Sequence, residues 1–158
     1  MTRLRGSGAL ERRALLRYAG AAVGTALLTP TLGRSAQATP EAARALLGDL
    51  VRGKPEPGRV TLRVPEVAEN GNTVPVTVSV ESPMTETDYV EAIHIVADGN
   101  PAPGVASITF TPLSGKAEAQ LRIRLAQTQS VTAVARMSDG SLWSASREVK
   151  VTIGGCGG

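Results

Sequence analysis

The strongest constraint on the fold is a period of two in the apolar residues, which begins near Arg59 and continues to Ile153. The segment 73–80, TVPVTVSV, shows this period best, because every second residue is a valine. Such alternation places apolar side chains on one face of a β-strand and polar side chains on the other. Short runs of this kind, separated by turn residues, predict an all-β, immunoglobulin-like antiparallel sandwich of about seven strands over residues 59–153.

Several segments carry more specific expectations. Pro75 has no backbone N–H, so the strand 73–80 should lie at a sheet edge at that residue. The segment 89–98 is apolar on both faces and should form a central strand. Residues 68–72, AENGN, are expected to form a turn, and Asp139-Gly140 is typical of a β-hairpin turn.

Residues 39–58 predict a short helix followed by a linker. Thr39 is a good N-cap, and Pro40 suits the first helical position. The apolar stripe of this helix is expected to comprise Ala42, Ala45, Leu46 and Leu50. The segment GKPEPG, residues 53–58, should end regular structure.

The first 38 residues have the composition of an export signal. A basic region precedes the apolar segment 18–28, which is too short to span a hydrocarbon core of about 30 Å. The small residues 36–38, AQA, then form a conventional cleavage site. Arg12 and Arg13, followed by two apolar residues, resemble the twin-arginine signal. We therefore expect residues 1–38 to be removed and the protein to reach the periplasm already folded. A general secretory signal that contains two arginines is the alternative.

The charge of the chain excludes one class of partner. The formal net charge of +3 is misleading, because six of the 17 basic residues and one acidic residue lie in residues 1–38. Residues 39–158 keep 11 basic and 13 acidic residues, a net charge of −2. A nucleic-acid-binding domain would carry a basic surface in its folded part. We expect no nucleic-acid partner and no membrane association of the mature form.

The sequence also lacks the usual signs of an active site. One histidine and one cysteine do not suffice for a metal cluster or an intrachain disulfide. His94 lies in an alternating strand and is best interpreted as a structural residue. No glycine-rich loop joins a strand to a helix, so no phosphate site is indicated. We predict no catalytic residue, no metal and no cofactor, and hence a protein that is not itself an enzyme.

The chain ends in GGCGG, which contains its sole cysteine, Cys156. Because glycine has no Cβ and adopts either sign of φ, residues 154–158 are predicted to form a flexible arm. Such an arm would let the Cys156 sulfur move about 10 Å from the last strand. A thiol on a narrow arm, formed by Gly154, Gly155, Gly157 and Gly158, suits a covalent tether that enters the cleft of a partner enzyme.

Two other interpretations of the tail remain at this point. Cys156 could form an intermolecular disulfide in an exported interaction module. The terminal Gly-Gly could be converted to a thiocarboxylate, but that activation requires ATP, which an exported protein does not meet.

Several segments together resemble the SoxY family of sulfur carriers. They are AENGNTVPVTVSV, ESPMTETDYVEAIHIVADGNPAP, LRIRL, SDGSLWSASREVKVTIGG and the terminal GGCGG. The resemblance implies a carrier subunit of thiosulfate oxidation that holds sulfur intermediates covalently on Cys156. It also implies a heterodimer with a SoxZ subunit and transient contacts with the cytochrome SoxXA, with SoxB and with a sulfane dehydrogenase.

Overall fold

Two β-sheets face each other in residues 39–155, the part of the chain that the computed structural model describes. The larger sheet has the order β1-β9-β8-β5-β6, with β3 paired to β9, and the smaller sheet has the order β2-β4-β7. The elements are α1 (Pro40–Leu50), β1 (Glu56–Pro57), β2 (Val60–Arg63), β3 (Val67–Asn70), β4 (Val74–Val80), β5 (Val90–Ala97), β6 (Gly104–Thr109), β7 (Ala117–Ile123), β8 (Gln129–Met137) and β9 (Leu142–Ile153). This arrangement confirms the predicted immunoglobulin-like sandwich.

The core lies between the two sheets. The four valines of β4 at positions 74, 76, 78 and 80 are buried, as their alternation predicts. They pack against side chains of the larger sheet, among them Ile93, Ile95, Val131 and Val149. Strand β5 lies between β8 and β6 and is buried on both faces, which confirms the prediction of a central strand.

Helix α1 begins and ends where the sequence indicates. Thr39 has an extended backbone, and its hydroxyl oxygen accepts a hydrogen bond of 3.2 Å from the Ala42 N–H. The predicted stripe is wrong at Ala42 and Ala45, which are exposed, whereas Ala43 is buried. The helix spans 11 residues, and the described part of the chain holds no helix with the length and hydropathy of a transmembrane segment.

Strands β1 and β3 differ from the sequence-based expectation. Both pair with β9, and both pairings are parallel. The predicted turn at 68–72 therefore begins later, after Asn70, and the described residues form nine strands. Two- and four-residue strands are too short for a period of two to be visible, so their existence depends on the partner strand.

Pro75 lies in the middle strand of the smaller sheet rather than in an edge strand. Strand β2 pairs only with Thr77–Val80, however, so Pro75 has a neighbouring strand on one side only, where it lies opposite Arg122 of β7. The missing N–H is therefore tolerated because β2 ends before this position.

The hairpin between β8 and β9 forms at the predicted Asp139-Gly140 pair. Gly140 adopts a φ of 84°, a left-handed conformation that favours glycine. The Met137 N–H donates to the Ser141 carbonyl oxygen at 2.9 Å and closes the turn. Strand β9 then runs from Leu142 to Ile153 and leads directly to the two glycines that precede Cys156.

Candidate functional site at the base of the C-terminal arm

The residues predicted to function lie near the two ends of the chain. Those outside the described residues are Arg12, Arg13, Cys156, Gly157 and Gly158. Gly154 and Gly155 are described, and Cys156 follows Gly155 directly. The structure therefore shows the surface of the domain from which the chain continues to the sole cysteine.

Strand β9 changes partner before it reaches this surface. Residues Leu142–Val149 pair with β8, whereas the last four residues lie along β3, with Ile153 opposite Asn70. The Val151 N–H donates to the Thr128 hydroxyl oxygen at 3.0 Å, which links this end of β9 to the loop between β7 and β8. Segments from distant parts of the sequence thus meet at the end of β9.

Three backbone hydrogen bonds connect the segments that meet after Ile153. The Gly71 N–H donates to the Ile153 carbonyl oxygen at 2.7 Å, and the Leu125 N–H donates to the Gly71 carbonyl oxygen at 2.8 Å. The Gly155 N–H donates to the Leu125 carbonyl oxygen at 2.8 Å. We call this arrangement of Gly71, Leu125, Ala126, Gly154 and Gly155 the glycine junction.

The glycine junction leaves no room for side chains at its three glycines. A Cβ atom on Gly71 would overlap the Leu125 carbonyl oxygen and would lie 2.8 Å from the Gly155 nitrogen. A Cβ on Gly154 would overlap the Ala126 carbonyl oxygen, and a Cβ on Gly155 would overlap the backbone of Gly71. None of the three has a left-handed φ, so these glycines serve close backbone approach.

Two of the five residues of the predicted flexible arm are described, and the prediction for residues 154–158 as a whole stays a prediction. The backbone of Gly154 and Gly155 is packed against the β3–β4 turn and the β7–β8 loop. The hydrogen bond from Gly155 anchors the chain two residues beyond the last strand.

Two buried amide side chains hold the β7–β8 loop in place. Asn100 and Gln129 are 7% and 6% exposed, and the Gln129 side-chain amide donates to Asn100 Oδ1 at 2.9 Å. Asn100 Nδ2 donates to the Arg124 carbonyl oxygen at 2.8 Å, and the Ala126 N–H donates back to Asn100 Oδ1 at 2.9 Å. Because buried polar groups are costly to leave unpaired, this network fixes the loop on both sides of Leu125.

The glycine junction offers positioning rather than acid–base chemistry, because its five residues carry no titratable side chain. The shifted pKa values in the described residues belong to groups outside it. A hydrogen bond from the Ser141 side chain is the main cause that lowers the pKa of Asp139, and burial lowers the pKa of His94. Residues 39–155 also contain no group of three or more histidine, cysteine, aspartate or glutamate side chains placed to hold a metal ion.

Comparison with known proteins assigns the family. Residues 43–156 match the family model described as sulfur oxidation protein SoxY. The chain belongs to the SoxY family. The solved structure of the sulfur carrier protein SoxY from Chlorobium limicola f thiosulfatophilum is 35% identical and superimposes with a TM-score of 0.60. That match covers 72% of this chain and 98% of the Chlorobium protein.

More distant structures share the fold with this SoxY-family chain. The superoxide reductase (neelaredoxin) from Ignicoccus hospitalis is 20% identical, with a TM-score of 0.54 over 73% of this chain and 95% of its own. The superoxide reductase from Nanoarchaeum equitans is 13% identical, with a TM-score of 0.51 over 60% of this chain and 99% of its own. At these identities the likeness concerns the fold alone. The comparison with curated proteins returned no match.

The sequence does not identify the residues outside the arm that form or support the glycine junction. Gly71 was interpreted as a turn glycine within AENGN, and Asn100 and Gln129 were not singled out. Of these residues, only Gly71 lies in a sequence pattern that indicates its local structure, since a glycine between two asparagines indicates a turn. Its contact with Gly155 joins positions far apart in the sequence, so that signal does not reveal it.

Proposed function

We propose that this SoxY-family chain is a covalent sulfur carrier of thiosulfate oxidation, with the sulfur bound to Cys156. The observation that carries the proposal is the extent of the family match, which runs from residue 43 to Cys156 and so includes the sole thiol of the chain. The structural relative at 35% identity is itself a sulfur carrier protein. The glycine junction supports this role, because it fixes the chain immediately before the thiol.

The proposed chemistry begins with the Cys156 thiolate. Thiolate and thiosulfate join through a new S–S bond to give a cysteine S-thiosulfonate, and two electrons pass to an oxidant of the cytochrome c type. Water then cleaves the bond between the sulfane sulfur and the sulfonate sulfur, which releases sulfate and two protons and leaves a deprotonated persulfide on Cys156. The thiolate is the reactive form of cysteine, so loading requires deprotonation.

The redox and hydrolytic groups of this cycle belong to partner proteins in our proposal. A cytochrome such as SoxXA would supply the oxidant, a hydrolase such as SoxB would supply the activated water, and a sulfane dehydrogenase would oxidise the remaining sulfur. A SoxZ-like subunit would form the stable heterodimer. These assignments rest on the family, and they leave the chain itself the role of presenting one thiol to several active sites.

We further propose that the carrier works in the periplasm. The support is the leader, with its arginine pair at positions 12 and 13 and the small residues at 36–38. Export in the folded state fits a carrier that binds a partner subunit before it crosses the membrane.

Mass spectrometry of the protein purified from its native periplasm tests the proposal. We expect intact masses raised by sulfur or by a thiosulfate-derived group, with the added mass located on Cys156 by fragmentation. In Cys156→Ser, the added mass should be lost completely, because a serine hydroxyl is barely ionised near neutral pH and forms no persulfide. The free energy of unfolding should stay unchanged.

Other outcomes of the same measurement would contradict the proposal. A disulfide between Cys156 and another chain, without sulfur adducts under thiosulfate-oxidising conditions, would favour the interaction module. A modified C-terminal carboxylate with an unmodified thiol would favour the thiocarboxylate alternative.

A further inference from the structure

We propose that Gly71, on the turn between β3 and β4, is a positioning residue for the Cys156 thiol. This inference rests on the proposed carrier function and adds a residue far from the arm in sequence. Gly71 is buried, is hydrogen-bonded to Leu125 of the β7–β8 loop and lies against the backbone of Gly155. Its role is to let three backbone segments meet, so that the chain is anchored at Gly155, the residue before Cys156.

The first step of the argument is connectivity. Gly71 donates to Ile153 at 2.7 Å, before the arm, and accepts from Leu125 at 2.8 Å. Leu125 in turn accepts from Gly155 at 2.8 Å. Gly71 is thus hydrogen-bonded to Ile153, which precedes the two glycines, and to Leu125, which accepts the hydrogen bond from Gly155.

The second step is the lack of space. A methyl group on Gly71 would overlap the Leu125 carbonyl oxygen and would stand 2.8 Å from the Gly155 nitrogen, closer than Cβ atoms come to other heavy atoms. The backbone of Gly71 does not have a left-handed φ, so alanine would suit the local conformation. Substitution therefore disturbs the contact with the arm and adds no backbone strain of its own.

The third step is the rigidity of the support. The Leu125 carbonyl oxygen that receives Gly155 belongs to a loop held by Asn100 at Arg124 and at Ala126. Gln129 supports Asn100 and also accepts from the Gly99 N–H at 2.7 Å. A methyl group on Gly71 would consequently displace the arm more readily than it would displace this loop.

The fourth step is the consequence for the thiol. Consecutive Cα atoms in a chain are about 3.8 Å apart, and Cys156 directly follows Gly155, an anchored residue, in the sequence. An anchor this close reduces the volume that the sulfur searches, which raises its effective concentration at a docked partner. Without the anchor, the thiol would start its search from Ile153, two residues earlier.

Gly71→Ala and Gly48→Ala form a matched pair for the test. Gly48 lies in α1 with no atom within 4 Å of its would-be Cβ, so Gly48→Ala makes the same chemical change in open space. Both are made in the full chain, which has one cysteine and so accepts a nitroxide spin label at Cys156 alone. The readouts are the mobility of the label, the exchange rate of the Gly155 amide proton by NMR, and the kinetics of loading by the thiosulfate-oxidising partner.

We expect Gly71→Ala to increase label mobility and to speed Gly155 amide exchange about tenfold, the equivalent of one lost hydrogen bond. The KM for loading should rise several-fold, while the reaction with a small thiol reagent should keep its rate, because the thiol itself is unchanged. Gly48→Ala should match the original protein in every readout. A folded Gly71→Ala protein with unchanged label mobility and amide exchange would overturn the inference.

Two further results keep the test decisive. If Gly71→Ala does not fold, amide exchange in the unsubstituted protein tests the anchor. Exchange of the Gly155 amide as fast as in an unstructured peptide would overturn the inference. Slow exchange would support it. If Cys156 is never loaded with sulfur while Gly71→Ala still changes the label and the amide, the carrier function fails and the positioning of the thiol stands.

Discussion

His94 lies on β5 with 8% of its surface exposed and points away from the core between the sheets. Its Nδ1 lies 2.9 Å from the Ser107 hydroxyl oxygen, and its Nε2 is buried without a hydrogen-bond partner in the described residues. Burial, and secondly the positive charge of Arg136, lower its pKa below the usual value near 6.5. The lowered pKa favours the neutral form of the ring near neutral pH.

This lowered pKa has a predictable effect on stability. As the pH falls below about 6.5, the unfolded chain binds a proton on His94 before the folded chain does. The free energy of unfolding should fall with pH until the pH passes the lowered pKa of the folded state. In His94→Gln this part of the pH dependence should disappear, while the Arg136–Glu91 ion pair of 2.8 Å remains in both proteins.

Urea unfolding of both proteins at about pH 8 and about pH 5 measures the effect. Each protein loses some free energy of unfolding between the two pH values. The difference between these two losses is the contribution of His94, because the other titrating groups are common to both proteins. Equal losses would show that His94 is protonated equally easily in the folded and unfolded states.

At the scale of elements, β4 shows how far alternation determines burial. Val78 is fully buried and Ser79, its neighbour, faces the other side of the sheet. We expect Val78→Ala to lower the free energy of unfolding by about 2 kcal/mol, from lost apolar burial and from the cavity that remains. Ser79→Ala, the matched control, should change it by less than about 0.5 kcal/mol. Denaturant titrations measure both, and equal effects would contradict the assigned register.

The elements that the sequence predicts well are those with their own periodic signal. Strands β4 and β5 and the N-terminus of α1 follow from valine alternation, an apolar run and the Thr39-Pro40 pair. Strand β3 was interpreted as part of a turn, because four residues beside an asparagine and a glycine carry no visible period. The buried face of α1 was misplaced at its alanines, since small residues give a weak indication of which side is apolar.

At the scale of the whole molecule, the candidate site combines a feature that the sequence shows with one that it hides. The terminal glycines and Cys156 are adjacent in the sequence and were predicted to act together. Gly71 and Leu125 meet Gly155 only because β3 pairs with β9 and the β7–β8 loop folds over its end. Contacts between residues so far apart in the chain depend on topology, which local patterns do not encode.

The export route of the protein can be tested directly. Replacing Arg12 and Arg13 by lysine keeps the charge of the leader but removes the arginine pair. We expect the precursor to accumulate in the cytoplasm while the sandwich still folds, because both residues lie outside residues 39–155. Cell fractionation followed by immunoblotting gives the distribution. The control replaces Arg3 and Arg5 by lysine, and export of both variants at the original rate would exclude the twin-arginine route.

The β8–β9 turn at Ser138–Ser141 is a suitable position for a peptide tag. It lies at the start of β9, and the 12-residue strand separates it from Gly154 by roughly 40 Å along the chain. No atom lies within 4 Å of a would-be Cβ on Gly140, so the turn projects into open space. A peptide tag inserted there would immobilise the protein on a bead or an electrode through the end of β9 that lies opposite the glycine junction, so the tag would not cover Gly154 and Gly155.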